Sequence, residues 1–391
     1  MNSLCNFLAI LLIVFASITN YAIADEEDKN LKPMKLLSIR DKIPSLLKKP
    51  TGLWLNIPKG YQLIDKNYPE LGKLIRQYSA NSKSLQTLVN NASLYLPFIY
   101  QEVVLNKLPT EIVFLPFLES GYDLKSDGGF KSTGLWGLMP IADLELGLED
   151  NLFIQERRDI VKSTKAALSL LKKLNNEFKN WEYTLAAYNA GPGRVKKAIQ
   201  DKTADNDYSP DYSDLDLQKE TLDYVPKLIA LRTIFNSPNL YGISLSTLPE
   251  KSNLIQVEIE HDIDIALLAK LLNLSIAQFY DFNPQYKKNF LPGAIKSKVL
   301  MPKDNFQYYA VNRKEIEKAR CSFYAVKISR DTNLLDFIKE YDMDKKTFYE
   351  INGISKFQKI LSGSTVIILK NRRFSRDIPL KVIKKSFIRY G

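Results

Sequence analysis

The sequence repeats itself in its C-terminal part, and this repeat limits the folds that the chain can adopt. Residues 255–283 align without a gap on residues 324–352. Each copy reads as a strand, two helices and a second strand after a glycine turn. The pattern predicts two small α+β modules of βααβ order, at residues 250–303 (module one) and 321–370 (module two). The matching positions include Val257/Val326, Ile259/Ile328, Asp262/Asp331, Phe279/Phe348, Tyr280/Tyr349 and Asn283/Asn352.

Helical patterns dominate the chain ahead of the repeat. Apolar residues recur at helical spacing in 71–78, 163–178 and 217–235. Ser163 is expected to cap the second of these helices. Residues 201–216 carry six aspartates and no apolar pattern, which favours a solvated loop. The predicted fold class is therefore multidomain, with a mainly α region followed by the two α+β modules.

The two ends of the chain differ from its middle. Residues 1–24 hold an apolar run and end in a small-residue triplet, which predicts a signal peptide; an uncleaved anchor or a buried helix is the alternative. Cys5 precedes the apolar run, a poor position for lipid modification. The basic tail, residues 371–391, carries with Lys370 a charge of +7 out of a net +11. This charge favours an anionic surface of the cell envelope as partner, and a solvated tail is the alternative. Export disfavours nucleic acid as a partner.

The scarcity of cysteine and histidine restricts the available chemistry. Cys321 would be the only cysteine of the exported chain, so no internal disulfide can form. His261 is the only histidine, and we interpret it as a surface turn residue. Nucleophilic triads and histidine-rich metal sites would depend on that one side chain. We expect no cofactor, no metal and a monomeric chain.

The segment LPFLESGYD, residues 115–123, places one carboxylate at the end of an apolar run. Thr110 is expected to cap a short buried helix, Pro116 to bend it, and Glu119 to emerge where it stops. Cleaving a glycosidic bond requires an acid, and burial can raise the pKa of a carboxyl enough for this role near neutral pH. The pattern alone leaves a solvent-facing glutamate as the alternative. A hydrolase would add a second carboxylate, for which Asp123 is a candidate.

Five motifs resemble, in the same order, those of the D-type membrane-bound lytic murein transglycosylases, which have a lysozyme-like fold. They are LPFLESGYD, GLWGLMP (134–140), ERRD (156–159), AAYNAGPGRV (186–195) and ETLDYVP (220–226). The resemblance covers residues 53–235 and implies an N-terminal helical region at 25–95 and a transglycosylase domain at 96–245. The two modules resemble LysM modules, which bind glycans that contain N-acetylglucosamine. Module one is the more degenerate copy, and plain structural modules are the alternative.

The resemblance implies a reaction that needs one carboxylate. Glu119 would protonate the bond between N-acetylmuramic acid and N-acetylglucosamine, and the C6 hydroxyl of the muramic residue would then close a 1,6-anhydro ring. The implied partner is the glycan strand of peptidoglycan in the periplasm or cell envelope. The motif match favours Tyr188 and Asn189 over Glu220 and Tyr224 as cleft residues. The implied substrate contacts are Ser120, Met139, Tyr188, Asn189, Glu220 and Tyr224, and the implied glycan contacts of module two are Asp331, Thr332 and Asn352.

The sequence departs from this family at two glycines. Gly137 stands where the family has glutamine, and Gly128 stands where it has serine, so two polar contacts are lost from the expected cleft. We therefore expect Gly137→Gln to raise the rate of anhydro-product formation and Gly128→Ser to raise it less, unless a positive φ at Gly137 excludes a side chain. The alternatives are a hydrolytic muramidase of the same fold and a non-catalytic glycan-binding or scaffold protein.

Overall fold

The computed structural model describes residues 51–63, 66–126, 132–203, 209–293, 296–319, 321–352 and 359–369. The expected signal peptide, Gly128 and the basic tail lie outside the described residues. Within them, a helical region comes first and the two modules follow, in the order that the sequence predicts. Each module adds a pair of two-residue strands to the predicted βααβ pattern.

The helical region packs its elements around one hydrophobic core. Its α-helices are α1 Leu53–Asn56, α2 Leu71–Ala80, α3 Ser82–Ala92, α4 Leu96–Leu105, α5 Leu115–Glu119, α6 Ile141–Glu145, α7 Ile160–Phe178, α8 Trp181–Ala190, α9 Pro192–Thr203, α10 Lys219–Leu222 and α11 Tyr224–Asn236. Short 3-10 turns occupy Ile57–Gly60, Thr110–Phe114, Glu156–Arg158, Tyr212–Asp214 and Pro238–Tyr241. Glu119 ends helix α5, Tyr188 lies on α8, Glu220 lies on α10 and Tyr224 begins α11.

Two helix starts differ from the sequence prediction. Helix α7 begins at Ile160, because Asp159, four residues ahead of Ser163, caps it by accepting the N–H groups of its first turn at 2.9 and 2.8 Å. Ser163 is instead buried inside that helix. Pro116 does not bend a continuous helix: the 3-10 turn from Thr110 ends at Phe114, and Pro116 lies in the first turn of α5. Proline is tolerated there because a first-turn N–H has no helical acceptor.

The acidic stretch at 201–216 is not a wholly solvated loop. Helix α9 extends to Thr203, and Tyr212 is buried with its hydroxyl donating to Thr221 O. Asp211 is the N-cap of the 3-10 turn that presents Tyr212, and it pairs with Lys66. The many aspartates of this stretch therefore gave no sign that one of its aromatic residues, Tyr212, is buried and anchors it.

The two modules have the same secondary-structure order. Module one contains β1 Leu254–Ile259, β2 Ile263–Asp264, α12 Ile265–Leu271, α13 Ile276–Phe282, β3 Phe290–Leu291 and β4 Ser297–Pro302. A 3-10 turn, Lys303–Asn305, and helix α14 Phe306–Lys318, which the sequence reading missed, then lead to module two. Module two contains β5 Phe323–Lys327, β6 Thr332–Asn333, α15 Leu334–Glu340, α16 Lys345–Asn352, β7 Lys359–Ile360 and β8 Thr365–Leu369. The antiparallel pairs are β1–β4 and β2–β3 in one module and β5–β8 and β6–β7 in the other.

The repeat extends to individual hydrogen bonds. Asp262 accepts the N–H of Gly293 at 3.0 Å, and Asp331 accepts the N–H of Ser362 at 2.9 Å. A second pair of matching bonds involves the last residue of the repeat, since Asn283 and Asn352 each join the preceding helix to the final strand through their amides. These bonds close each module in the same way.

Module one contacts the helical region through backbone hydrogen bonds. Gln155 N donates to Gln285 O at 2.9 Å, and Lys287 N donates to Phe153 O at 2.8 Å. The Lys287 ammonium also pairs with Asp150 at 3.2 Å. Phe153 belongs to the same hydrophobic cluster as module one, so this contact has an apolar component as well.

Module one also packs against module two. The rings of Phe290 and Phe323 stack with centroids 5.2 Å apart, and the Lys288 ammonium donates to Ile351 O at 3.2 Å. Cys321 is a free, buried thiol at this junction. His261 is partly buried, and its Nε2 contacts Ile316 O on α14, so it is not the surface turn residue expected from the sequence.

Within the described ranges, no single helix has the length and apolar character needed to cross a membrane. The pair α12 and α13, bent by 95°, passes the same test by length and composition only. The described residues also include no group of three or more His, Cys, Asp or Glu side chains that could hold a metal ion.

Candidate active site

Glu119 is the last residue of α5, where an apolar helix reaches the surface. The three residues that open this helix are buried, whereas Glu119 is partly exposed. The helix cannot continue, because Gly121 and Tyr122 have positive φ angles of 63° and 61°. The hydroxyl of Tyr122 then anchors the chain by donating to Val113 O at 2.8 Å. The structure thus places the carboxylate where the sequence predicts it.

The Glu119 carboxyl faces the start of α11. The Tyr224 hydroxyl donates a hydrogen bond to its Oε1. Burial raises the pKa of Glu119 to about 7; the hydrogen bond from Tyr224 opposes this rise, and the charge of Glu220 adds to it. Among the described residues, the charged group that shifts this pKa is therefore another carboxylate and not a cation. A carboxyl with such a pKa is partly protonated at neutral pH, as a general acid must be.

A turn at residues 134–137 lies beside Glu119, and two predicted site residues hold it there. The Ser120 hydroxyl contacts Leu135 O at 2.9 Å, and the Tyr188 hydroxyl donates to Trp136 O at 2.8 Å. Both bonds go to backbone oxygens, so they fix the turn whatever its side chains are. Ser120 and Tyr188 therefore shape the wall next to the acid.

Gly137, within this turn, leaves no room for a side chain. Its φ is +59°, a conformation that L residues rarely adopt. A Cβ at this position would overlap Glu119 Oε2 and approach Glu119 Cδ and Cβ to 3.2 and 3.3 Å. The expectation that Gly137→Gln raises the rate is corrected accordingly, because a glutamine would strain the turn and displace the acid.

Tyr224 and Asn189, two further predicted cleft residues, differ in their relation to the Glu119 carboxyl. Tyr224, which the motif match ranked below Tyr188 and Asn189, contacts the carboxyl directly. Asn189 is held by Thr221, whose hydroxyl contacts its Oδ1 at 2.9 Å. Thr221 was not singled out from the sequence, although it lies within the ETLDYVP motif.

Two exposed residues complete the predicted set, together with the proposed second carboxylate. Glu220 is exposed and acts on Glu119 through its charge. Met139 is 42% exposed just after the turn. Asp123 is exposed, and its Oδ1 accepts the N–H of Lys125 at 2.8 Å within its own loop. Of the two carboxylates, Glu220 is the one whose charge reaches Glu119.

Arg157 contacts the residue that follows this turn and was missed as a functional candidate. It is buried, donates to Leu138 O at 3.3 Å, and pairs with Asp143 and Asp150 at 3.0 Å each. The ERRD motif contained the signal, since an arginine among acids can be buried only when it is paired. Asp150 also pairs with Lys287, so module one contacts this network.

The three residues predicted to bind glycan in module two have different environments. Asp331 is exposed and Thr332 is partly exposed. Asn352 is 3% exposed, and its amide is engaged with Phe348 O, Ile367 O and Ile367 N. The assignment of Asn352 as a glycan contact is corrected to a structural role, because its polar atoms are occupied inside the module.

Comparison with known proteins defines the class of both regions. Residues 97–209 match the Transglycosylase SLT domain, and residues 253–318 match the LysM-like domain of lytic transglycosylase MltD. The chain therefore carries a transglycosylase SLT domain followed by a LysM-like domain of this type, which confirms the resemblance for the helical region and for module one. The LysM-like match includes helix α14, which the predicted bounds of module one left out.

Curated proteins and solved structures similar to this chain were also found. The chain is 34% identical over 229 residues to membrane-bound lytic murein transglycosylase D of Escherichia coli (strain K12), covering 58% of this chain and 50% of the relative. It thus spans about half the length of that relative. An inactive mutant of lytic transglycosylase Slt from Pseudomonas aeruginosa aligns with a TM-score of 0.30 at 21% identity, over 38% of this chain and 24% of that one. The 70 kDa soluble lytic transglycosylase of Escherichia coli aligns with a TM-score of 0.33 at 18% identity, over 45% and 32%.

Proposed function

We propose that this protein is a peptidoglycan lytic transglycosylase that uses Glu119 as its single catalytic acid. The observation that carries the proposal is a carboxyl of raised pKa at the end of an apolar helix inside an SLT domain. The relatives are lytic transglycosylases by name, and the LysM-like domain fits a protein that acts at the cell wall.

In the proposed mechanism, Glu119 first gives its proton to the oxygen between N-acetylmuramic acid and N-acetylglucosamine. The resulting carboxylate then removes the proton of the C6 hydroxyl as that oxygen attacks the anomeric carbon and closes the 1,6-anhydro ring. No water is consumed, and the attack benefits from a high effective molarity because it is intramolecular. Tyr224 stabilises the charged form of Glu119 between the two steps through its hydrogen bond.

A hydrolytic muramidase is the competing reaction, and Glu220 gives it a specific basis. A second carboxylate near the acid could activate water, and Glu220 is the one whose charge reaches Glu119. The two reactions leave different ends on the glycan, since a transglycosylase makes anhydro ends and a hydrolase makes reducing ends.

The test is mass spectrometry of muropeptides released from purified sacculi by the wild-type protein and by Glu119→Gln. We expect anhydro ends with the wild type and almost none with the variant. Reducing ends from the wild type would support the muramidase. Release that Glu119→Gln does not diminish would remove Glu119 from the catalytic role. A wild-type protein that binds sacculi without cleaving them would indicate a scaffold.

We further propose that module two, rather than module one, contacts glycan. Asp331 and Thr332 are accessible, whereas the aligned Asp262 and Ile263 of module one are buried. In a Glu119→Gln background, Thr332→Ala combined with Asp331→Ala should lower retention on insoluble peptidoglycan. Unchanged retention in a pull-down would contradict this assignment.

A further inference from the structure

The side chain of Glu119 occupies the space that a side chain at position 137 would need. Three of its atoms, Oε2, Cδ and Cβ, are the nearest neighbours of a Cβ built on Gly137. Since Oε2 would be overlapped, an L residue at 137 and the present conformation of Glu119 exclude each other. The backbone conformation, with φ at +59°, disfavours a side chain for a second and independent reason.

The turn cannot retreat to make that room. Its carbonyl oxygens at Leu135 and Trp136 are held by Ser120 and Tyr188, at 2.9 and 2.8 Å. The Trp136 ring is fully buried, and its Nε1 donates to Thr164 at 2.9 Å. The glutamate is the flexible partner, so a side chain at 137 would displace Glu119 and not the turn.

Displacing Glu119 would break its contact with α11. Its Oε1 accepts the Tyr224 hydroxyl, and Tyr224 is itself 4% exposed at the start of that helix. A side chain this buried cannot follow the carboxyl without disturbing the core. The glycine and the hydrogen bond are therefore linked: the bond exists because position 137 is empty.

We propose that Gly137 is a positioning residue whose missing side chain sets the conformation of the acid and thereby its contact with Tyr224. The proposal rests on the proposed function of Glu119 and goes beyond it, because it explains a departure from the family motif. At the position where the family motif has a glutamine, this chain has Gly137, and the carboxyl of Glu119 lies against it. The departure is thus a rearrangement of the site and not the simple loss of a contact.

The chain offers a matched control for the strain of a positive φ. Gly147 has φ +69°, and a Cβ built on it meets no atom within 4 Å. Gly147→Ala therefore introduces the backbone strain alone, whereas Gly137→Ala introduces the strain and the overlap with Glu119. We expect both variants to melt at similarly lowered temperatures. Only Gly137→Ala should lower kcat, by about tenfold or more, with KM changed much less.

A double-mutant cycle tests the route of the effect. Tyr224→Phe should lower kcat several-fold in the wild-type background and less than about twofold when Gly137→Ala is already present, because the hydrogen bond would already be lost. Additive effects would overturn the proposal, and so would a Gly137→Ala variant as active as Gly147→Ala.

A crystal structure of Gly137→Ala gives a readout that does not depend on activity. We expect the Glu119 carboxyl to have left Tyr224. A retained bond between them would overturn the proposal, even if the wild-type protein proved inactive on peptidoglycan. An inactive wild type with a displaced Glu119 in the variant would contradict the proposed function and leave the positioning role intact.

Discussion

Glu111 and Glu119 lie eight residues apart on one segment, and both side chains reach α11, yet their surroundings differ. Glu111 is fully buried and accepts the N–H groups of Gln62 and Leu63 at 3.0–3.1 Å. Its Oε1 also lies 3.3 Å from the Arg232 guanidinium. Glu119 is partly exposed and accepts one hydroxyl, from Tyr224.

The comparison shows what separates a structural carboxylate from an acid. Burial raises the pKa of Glu111 as well, but its backbone donors and Arg232 oppose that rise. Among the described residues, one hydrogen bond opposes the rise at Glu119, and the nearby charge of Glu220 is of the same sign. Hydrogen-bond donors and a nearby cation stabilise the charged form of a carboxylate. Where few of them are present, the carboxyl keeps a proton that it can transfer. Burial of a carboxylate alone does not identify a catalytic acid.

The largest effect that this comparison predicts is on catalysis. Glu119→Gln should lower the rate of anhydro-muropeptide formation on the order of 10²–10⁴-fold, because the amide cannot donate an acidic proton. The fold should be intact by circular dichroism. An HPLC assay on sacculi measures the rate, and a loss of only a few-fold would mean that another group supplies the proton.

The next effect is on stability and belongs to Glu111. Glu111→Gln should lower the free energy of unfolding by about 3–5 kcal/mol, because the buried Arg232 guanidinium loses the carboxylate that opposes its charge. Urea denaturation at pH 7 measures this difference, with Glu119→Gln as the control that keeps the pair. Equal midpoints for the two variants would contradict the structural role of Glu111.

A smaller effect is expected from the hydrogen bond that Tyr224 donates to Glu119. Tyr224→Phe removes a bond that lowers the pKa of Glu119, so that pKa should rise. The limb of the pH–rate profile on which activity falls as pH increases should then move upward by about one pH unit. Tyr188→Phe, which removes a bond to the turn, should leave the limb near pH 7. Identical limbs in all three proteins would exclude a role for Tyr224 in tuning the acid.

The smallest predicted effect is a pH-dependent difference in melting temperature. The pKa of Glu119 is about 7 in the folded chain against 4.5 for a free side chain. Its contribution to stability is therefore complete below pH 4.5 and is lost as pH rises through 7. Compared with wild type, Glu119→Gln should melt similarly at pH 5 and a few degrees higher at pH 8. A constant difference across this range would show that burial does not raise the pKa of this carboxyl.

Local patterns in the sequence predicted the features that depend on neighbouring residues. The helix at 71–80, the strand and helix order of both modules, and the exit of Glu119 from an apolar helix are all of this kind. Their signals are periodicity, turn residues and repetition, which act over a few residues. The repeat was informative because two copies carry the same constraint twice.

Contacts between segments that are distant in the sequence could not be predicted from such local patterns. Tyr224 and Glu119 are 105 positions apart, so no local pattern relates them. The positive φ of Gly137 and its approach to Glu119 depend on where the turn lies in three dimensions. The burial of Asn352 was likewise hidden, because an asparagine at the end of a helix can bind a ligand or bond to its own backbone.

The hydrogen bonds from 153–155 to 285–287, together with the stacked rings of Phe290 and Phe323, bear on how the proposed enzyme would meet its substrate. A binding module on a flexible linker raises local substrate concentration over a sphere set by the linker length. Here module one is hydrogen-bonded to the helical region and module two packs against module one, so a strand bound to module two would approach the cleft from a restricted set of orientations. Binding to module two would then favour strands whose curvature and spacing match the cleft. Other strands would not be cleaved faster for being bound.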